Sequence, residues 1–289
     1  MGFRTVVIKS RVKLELRLNM MVIRGDVEKK IFINEINTLI IQSTAVAVTA
    51  ALLNELVKNN IKVVFCDEKF NPSSELLPYY GAHNTSKRYK QQIKWYAPIK
   101  NSVWRIIVRQ KILGQADVLS MLHCDVQAEM LRNYADEIED GDVTNREGHA
   151  AKVYFNTFLE EGRRSESFIN GCLNYGYAVL LSAFNREIVA AGYFTQLGIW
   201  HDNEFNNFNL ASDLMEPFRP YVDRVVLGIE DGDREFKTKL TDILNYNVKI
   251  DGKNTTFDLA IRQYARSVFD ALNSGETDII VFPQEIEWR

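Results

Sequence analysis

The sequence predicts an α+β protein, with a small N-terminal β-rich domain at 1–75, a linker at 76–85 and a larger all-helical domain at 86–289. Three observations predict it. Period-two alternation and short β-type runs fill the first 66 residues. Residues 67–84 are rich in Pro, Ser, Tyr and Gly, with Pro72-Ser73-Ser74 and Pro78 interrupting regular structure. Beyond them, apolar residues recur at helical spacing almost to the end of the chain.

Taken in order, Val12, Leu14, Leu16, Leu18 and Met20 alternate with Lys13, Glu15, Arg17 and Asn19, which predicts one half-buried strand. Arg24-Gly25-Asp26 marks a turn, and Ile31-Phe32-Ile33 and Thr38-Leu39-Ile40-Ile41 are β-type runs. Over 45–58 the apolar positions Val48, Leu52, Leu53, Leu56 and Val57 share one helical face, with Thr44 as the expected N-cap. Asn59-Asn60 closes that helix, and 61–66 reads as a strand. Helical spacing then covers 86–97, 100–113, 115–134, 145–160, 166–191, 212–227, 233–244 and 256–273. One hairpin is expected near 247–256, turning at Asp251-Gly252.

The 289 residues suffice for one large or two ordinary domains. Cys66, Cys124 and Cys172 are odd in number and widely spaced, so free thiols and a reducing cytoplasmic setting are expected, not a disulfide framework. No apolar run is long enough for a membrane span, and the alternating, charged opening does not read as a signal peptide. The formal charge of -3 argues against a histone-like protein until it is divided. Residues 1–80 carry +3, 81–132 carry +6 and 133–289 carry -12.

The stretch 76–116 contains no Asp or Glu. It holds Lys87, Arg88, Lys90, Lys94, Lys100, Arg105, Arg109 and Lys111, interleaved with Tyr79, Tyr80, Tyr89, Trp95, Tyr96 and Trp104. Cations neutralise phosphates and aromatic faces stack on unpaired bases, so this composition points to nucleic acid. The competing reading is a solvated helix face with its aromatics in the core.

His83, His123, His149 and His201 belong to no zincin pattern, and the P-loop and G-x-S-x-G motifs are absent. The chemistry must therefore come from dispersed residues. Thr144-Asn145-Arg146-Glu147 reads by spacing as a capping box with Glu147 at N3. Gly198-Ile199-Trp200-His201 offers a histidine near the end of a helical stretch. Asp213 and Glu216, three apart, share a helix face, and two carboxylates so placed either repel or hold a cation. Arg219 and Asp223 read as surface ion-pair partners. Oxygen and imidazole donors of this kind suit Mg²⁺ or Mn²⁺.

At these residues the sequence resembles the CRISPR-associated integrase family, the endonuclease-like subunits that insert new spacers into a CRISPR array. INTLIIQSTAVAVTAALLNELVKNNIKVVFCD resembles the end of the family's β domain, and NREGHAAKVYF its first active-site block. NGCLNYGYAVLLSAFNREIVAAGY, LGIWH and NLASDLMEPFRPYVD resemble the remainder, in order. The opening MGFRTVVIKS is most similar to members from type II systems, which work beside an RNA-guided nuclease.

The resemblance implies a divalent-metal site and catalytic centre at Glu147, His201 and Glu216. Many relatives carry Asp in the third place, so Glu216 lengthens that arm. Asp213 matches a further acidic position, either a ligand or a support for one. The implied reaction is transesterification, in which the 3′-hydroxyl of incoming double-stranded DNA attacks a phosphodiester at the CRISPR repeat boundary. Water attacking instead gives nuclease activity. Implied partners are a second copy joined through the β domain, and a dimer of a small CRISPR-associated protein. From composition, Lys87, Arg88, Lys90 and Lys94 are expected to touch DNA, with Arg146, Tyr175 and Tyr177 as further candidates. The alternatives are a structure-specific repair nuclease and a non-catalytic DNA-binding scaffold.

Overall fold

The computed structural model describes residues 4–68, 72–79, 84–159 and 162–286. Tyr80 and His83 of the acid-free stretch lie outside them.

The N-terminal domain stacks two four-stranded sheets. In the first, β1 (Arg4–Ile8), β5 (Ile36–Ile41) and β7 (Lys62–Cys66) run parallel, and β8 (Pro72–Glu75) closes the edge antiparallel. β5 is buried at every position, as a central parallel strand covered on both faces must be. The second sheet is ordered β4-β3-β2-β6, with β2 (Lys13–Arg17), β3 (Met20–Arg24), β4 (Lys29–Phe32) and β6 (Ala47–Val48).

Three expectations change here. The single strand expected through Met20 is a hairpin. Leu18 and Asn19 both take positive φ, 47° and 59°, which is the two-residue turn whose twist matches its strands. The alternation reverses phase at that turn. Met21 takes the inward place opposite Leu16, and Leu18 is 88% exposed. The helix expected over 45–58 begins later, as α1 (Ala50–Lys58), capped by Thr49, not Thr44. Residues before it are drawn into β6, because Ala47 and Thr49 donate their N–H groups to the carbonyls of Val12 and Leu14. Finally, Pro72-Ser73-Ser74 does not interrupt structure but forms β8, with proline at the first position of an edge strand, where its missing donor is tolerated.

The second domain comprises α2 (Thr85–Ile93), α3 (Ala97–Met121), α4 (Asp125–Asp136), α5 (Arg146–Phe158), α6 (Phe168–Ala190), α7 (Asn209–Met215), α8 (Arg219–Leu227), α9 (Phe236–Asp242) and α10 (Phe257–Ser274). It is not purely helical. β9 (Asn247–Ile250) and β10 (Lys253–Thr256) form the expected hairpin, and β11 (Pro283–Ile286) adds a third antiparallel strand. α3 runs unbroken through Gly114, where two helices were expected. That glycine admits the facing helix, since a Cβ there would stand 2.9 Å from Pro220 Cγ. Trp104, Tyr154, Phe184, Phe218 and Tyr264 fill the core.

Buried polar contacts join the domains. Gln42 Nε2 donates to the Tyr175 hydroxyl at 2.9 Å, and Arg186 Nη1 donates to Thr38 Oγ1 at 2.8 Å. Arg186 is held in turn by Glu187 and Asp258. The three cysteines are free, with Cys66 and Cys172 buried.

Candidate active site

Six side chains from separate elements meet where α3, α5, α7 and α8 converge. Glu147 opens α5. The expected capping box does not form. Asn145 is left-handed at φ 53°, and Asp142 accepts the N–H groups of Arg146 and Glu147 at 2.7 and 3.0 Å. With the helix end satisfied by Asp142, the Glu147 carboxylate is released from capping. It accepts from Lys111 Nζ of α3 at 2.6 Å.

Glu216 begins a single 3-10 turn, Glu216–Phe218, between α7 and α8. Its Oε2 lies 2.5 Å from the same Lys111 Nζ, and its Oε1 is 2.9 Å from Arg219 Nη2. Burial alone would raise the Glu216 pKa, but the Arg219 and Lys111 charges outweigh it and the carboxyl sits below its ordinary value. Lys111 shows the mirror image. Burial would lower its pKa, and the Glu216 and Glu147 charges raise it instead.

His201 lies on the segment between α6 and α7. Its Nδ1 is hydrogen-bonded to Asp213 Oδ1 at 2.5 Å, and its own N–H donates to the same oxygen at 3.0 Å. Asp213 Oδ2 accepts the N–H groups of Ile199 and Trp200 at 2.6 and 3.0 Å. Fully buried Asp213 is thus occupied in folding the segment around itself, so it positions His201 and offers no free face to a ligand. Only glycine fits at 198, where a Cβ would stand 2.7 Å from Asp213 Oδ2 and 2.3 Å from the His201 carbonyl. The bond to Asp213 raises the His201 pKa against the effect of burial, and the Glu216 and Glu147 charges act the same way.

Two carboxylates and an imidazole are donor types that suit a divalent cation. Glu147 and Glu216 already share one positive charge. Buried Glu216 Oε2 accepts no hydrogen bond beyond that ion contact. A carboxylate holding one imidazole nitrogen leaves the other available and oriented, as in metal-ligating histidines. Among the described residues, however, no three His, Cys, Asp or Glu side chains gather into a finished ligand cluster. The two glutamates converge on the Lys111 ammonium instead of on each other.

Beneath the site, Asp223 is no surface ion-pair partner of Arg219. It is buried and accepts from the hydroxyls of Tyr154 at 2.7 Å and Tyr177 at 2.6 Å, which binds α8 to α5 and α6. The Arg219 guanidinium lies 4.7 Å from the Tyr177 ring centre. Tyr175 and Tyr177, 1% and 7% exposed, are core residues, so no base can stack on them and their expected DNA contacts are withdrawn.

The other expected DNA residues lie elsewhere. Lys87 and Lys90 of α2 and Lys94 just after it line an open groove of about 880 Å³ together with Trp95, Tyr96 and the end of α10. Arg88 turns to Tyr193, donating to its hydroxyl at 3.1 Å. Arg146 pairs with Glu137 at 2.9 Å. Sequence reasoning missed Lys111 as a site residue and Asp142 as the cap. Lys111 was legible, because Trp104, Ile107, Val108 and Ile112 place it on the inward face of α3.

A β domain leading into a helical bundle is also the architecture of several solved structures. A Cas1 protein from Thermotoga maritima superposes with a TM-score of 0.73 at 17% identity, over 94% of this chain and 97% of its own. A casposase bound to integration product gives 0.75 at 20% identity, over 96% and 92%. A Cas6-RT-Cas1–Cas2 complex gives 0.75 at 18%, over 96% of this chain and 36% of that one. The family model described as CRISPR associated protein Cas1 matches residues 5–242. A CRISPR-associated endonuclease Cas1 from Neisseria meningitidis serogroup C is 34% identical over 96% of this chain and 93% of its own length. One from Francisella tularensis subsp. novicida is 28% identical over 81% of each. The chain belongs to the Cas1 family. No helix among the described residues is long and apolar enough to cross a membrane.

Proposed function

We propose that the protein is a divalent-metal-dependent DNA integrase and endonuclease that joins the 3′-hydroxyl end of a DNA fragment to a CRISPR repeat boundary. The observation that carries this reading is the convergence of Glu147 and Glu216, from separate elements, on one buried cation beside a carboxylate-held histidine. Glu147, His201 and Glu216 would hold Mg²⁺ or Mn²⁺, which when bound supplies a Lewis acid for phosphoryl transfer. Asp213 keeps His201 Nδ1 engaged and its ring fixed. Arg219 stands ready to balance charge on a phosphate oxygen. The reaction exchanges one phosphodiester for another and needs no nucleotide hydrolysis.

The α2 groove, with three lysines beside exposed Tyr96, suits a phosphate backbone with an unpaired end. Two structural relatives, a casposase on its integration product and a complex containing Cas1 and Cas2, support DNA and a CRISPR-associated protein as partners. Pairing of two copies through the β domain agrees with the exposed apolar side chains of Phe32 in β4 and of Leu18 and Val27 in the turns beside it.

The test is joining of a labelled duplex to a plasmid bearing a repeat, with Mn²⁺ or Mg²⁺ supplied. Glu147→Gln and His201→Ala should lose joining while retaining duplex binding. Undiminished joining after complete removal of divalent metal would refute the reading. Equal products on repeat and scrambled targets would instead indicate a repair nuclease.

A further inference from the structure

Lys111 is a basic residue of the acid-free stretch that does not face outward. It is buried on the packed face of α3, between Val108 and Ile112. Its ammonium is 2.6 Å from Glu147 Oε1 and 2.5 Å from Glu216 Oε2, and among the described residues it pairs with no other carboxylate. Arg219 holds the remaining oxygen of Glu216. Two carboxylates are thus matched by two cations from the chain itself.

We infer that Lys111 is a resident counter-ion seated between the metal ligands, which a divalent cation displaces readily only when a DNA phosphate enters with it. The inference rests on the reading that Glu147 and Glu216 ligate the metal. Without Lys111, half-buried Glu147 would face buried Glu216 with Arg219 as the one remaining cation of the pair, which is costly. With it, the arriving metal meets a site whose charge is already neutralised, and the displaced ammonium remains nearby as a repelling charge. An anionic phosphate restores the balance by accepting the ammonium. Lysine suits this exchange, being a compact charge on a flexible stem. Metal and DNA then strengthen each other's binding, and by thermodynamic reciprocity each does so by the same factor.

The experiment titrates the purified full-length protein with Mn²⁺, reading free Mn²⁺ by electron paramagnetic resonance, with and without a short duplex bearing a free 3′ end. Lys111→Gln should bind Mn²⁺ alone about tenfold more tightly than wild type, or better. The duplex should tighten Mn²⁺ binding clearly in the wild type and hardly in the variant. Unchanged Mn²⁺ affinity in Lys111→Gln, with weakened binding in Glu147→Gln, overturns the inference and leaves the metal reading intact. Unchanged binding in Glu147→Gln overturns both. If Lys111→Gln fails to fold by circular dichroism, Lys111→Arg carries the test. Its two-pronged grip on the carboxylates should weaken Mn²⁺ binding severalfold, and no change overturns the inference.

Discussion

α2 and α3 share the longest acid-free stretch of the chain, yet they use their cations in opposite ways. On α2 and at its end, Lys87, Lys90 and Lys94 line an open groove. On α3, Arg105 and Arg109 are paired with Asp140 and Asp136, and Lys111 is turned into the core between two glutamates. Composition treats the two helices as one basic patch. Geometry separates a surface suited to phosphates from a charge that belongs to the candidate site.

The comparison is broken hardest at the buried side. Glu147→Gln should cut the joining rate by about a thousandfold, since metal-assisted charge stabilisation is worth several kcal/mol. Duplex affinity, set by the other helix, should change little. Asp213→Asn should reduce joining by about 10- to 100-fold, the usual range for a group that orients a metal-ligating histidine.

The buried side also carries a pH signature. Burial raises the Asp223 pKa to about 6 against its two tyrosine hydrogen bonds, so the folded protein holds a proton there that the unfolded chain releases near pH 4. The associated stability is complete at low pH and is lost as pH rises through about 6, amounting to no more than about 3 kcal/mol. The thermal midpoint of Asp223→Asn, followed from pH 4.5 to 7 by calorimetry, should fall less over that window than that of the wild type.

The exposed side gives the smallest effect. Replacing Lys87, Lys90 and Lys94 together by Ala should weaken duplex binding and flatten its dependence on log salt by about 0.9 for every phosphate that is no longer neutralised. The corresponding change at Arg105 and Arg109, already paired with aspartates, should flatten it less. Equal slopes for the two sets would erase the distinction between the helices.

Much of this was legible in the sequence, and what was missed has physical causes. Period-two alternation found β2, but exposed Leu18 disguised the turn, because an apolar residue at a hairpin tip mimics an inward position. The order of motifs named Glu147, His201 and Glu216; the fold joins the two glutamates through Lys111 and sets His201 near enough to feel both charges. That order did not show that Asp142, outside the helix it caps, frees Glu147, because a left-handed Asn145 redirects the chain. The NYGY tyrosines are candidate DNA contacts by sequence, although Tyr177 falls at helical spacing with buried Leu173, Leu180 and Phe184. In Lys111, charge was weighed and direction was not.

The bare backbone at Gly114 acts as a gauge block. It lies three residues beyond Lys111 on α3, and its contact, Pro220, lies four beyond Glu216 on the facing side. The separation of the two helices one turn from the ion pair is therefore set by a missing methyl group. A single added carbon at 114 would be a shim, pushing the ammonium and the glutamate apart without altering either. The reach of the candidate site is thus set partly by a residue that has no side chain to take part in it.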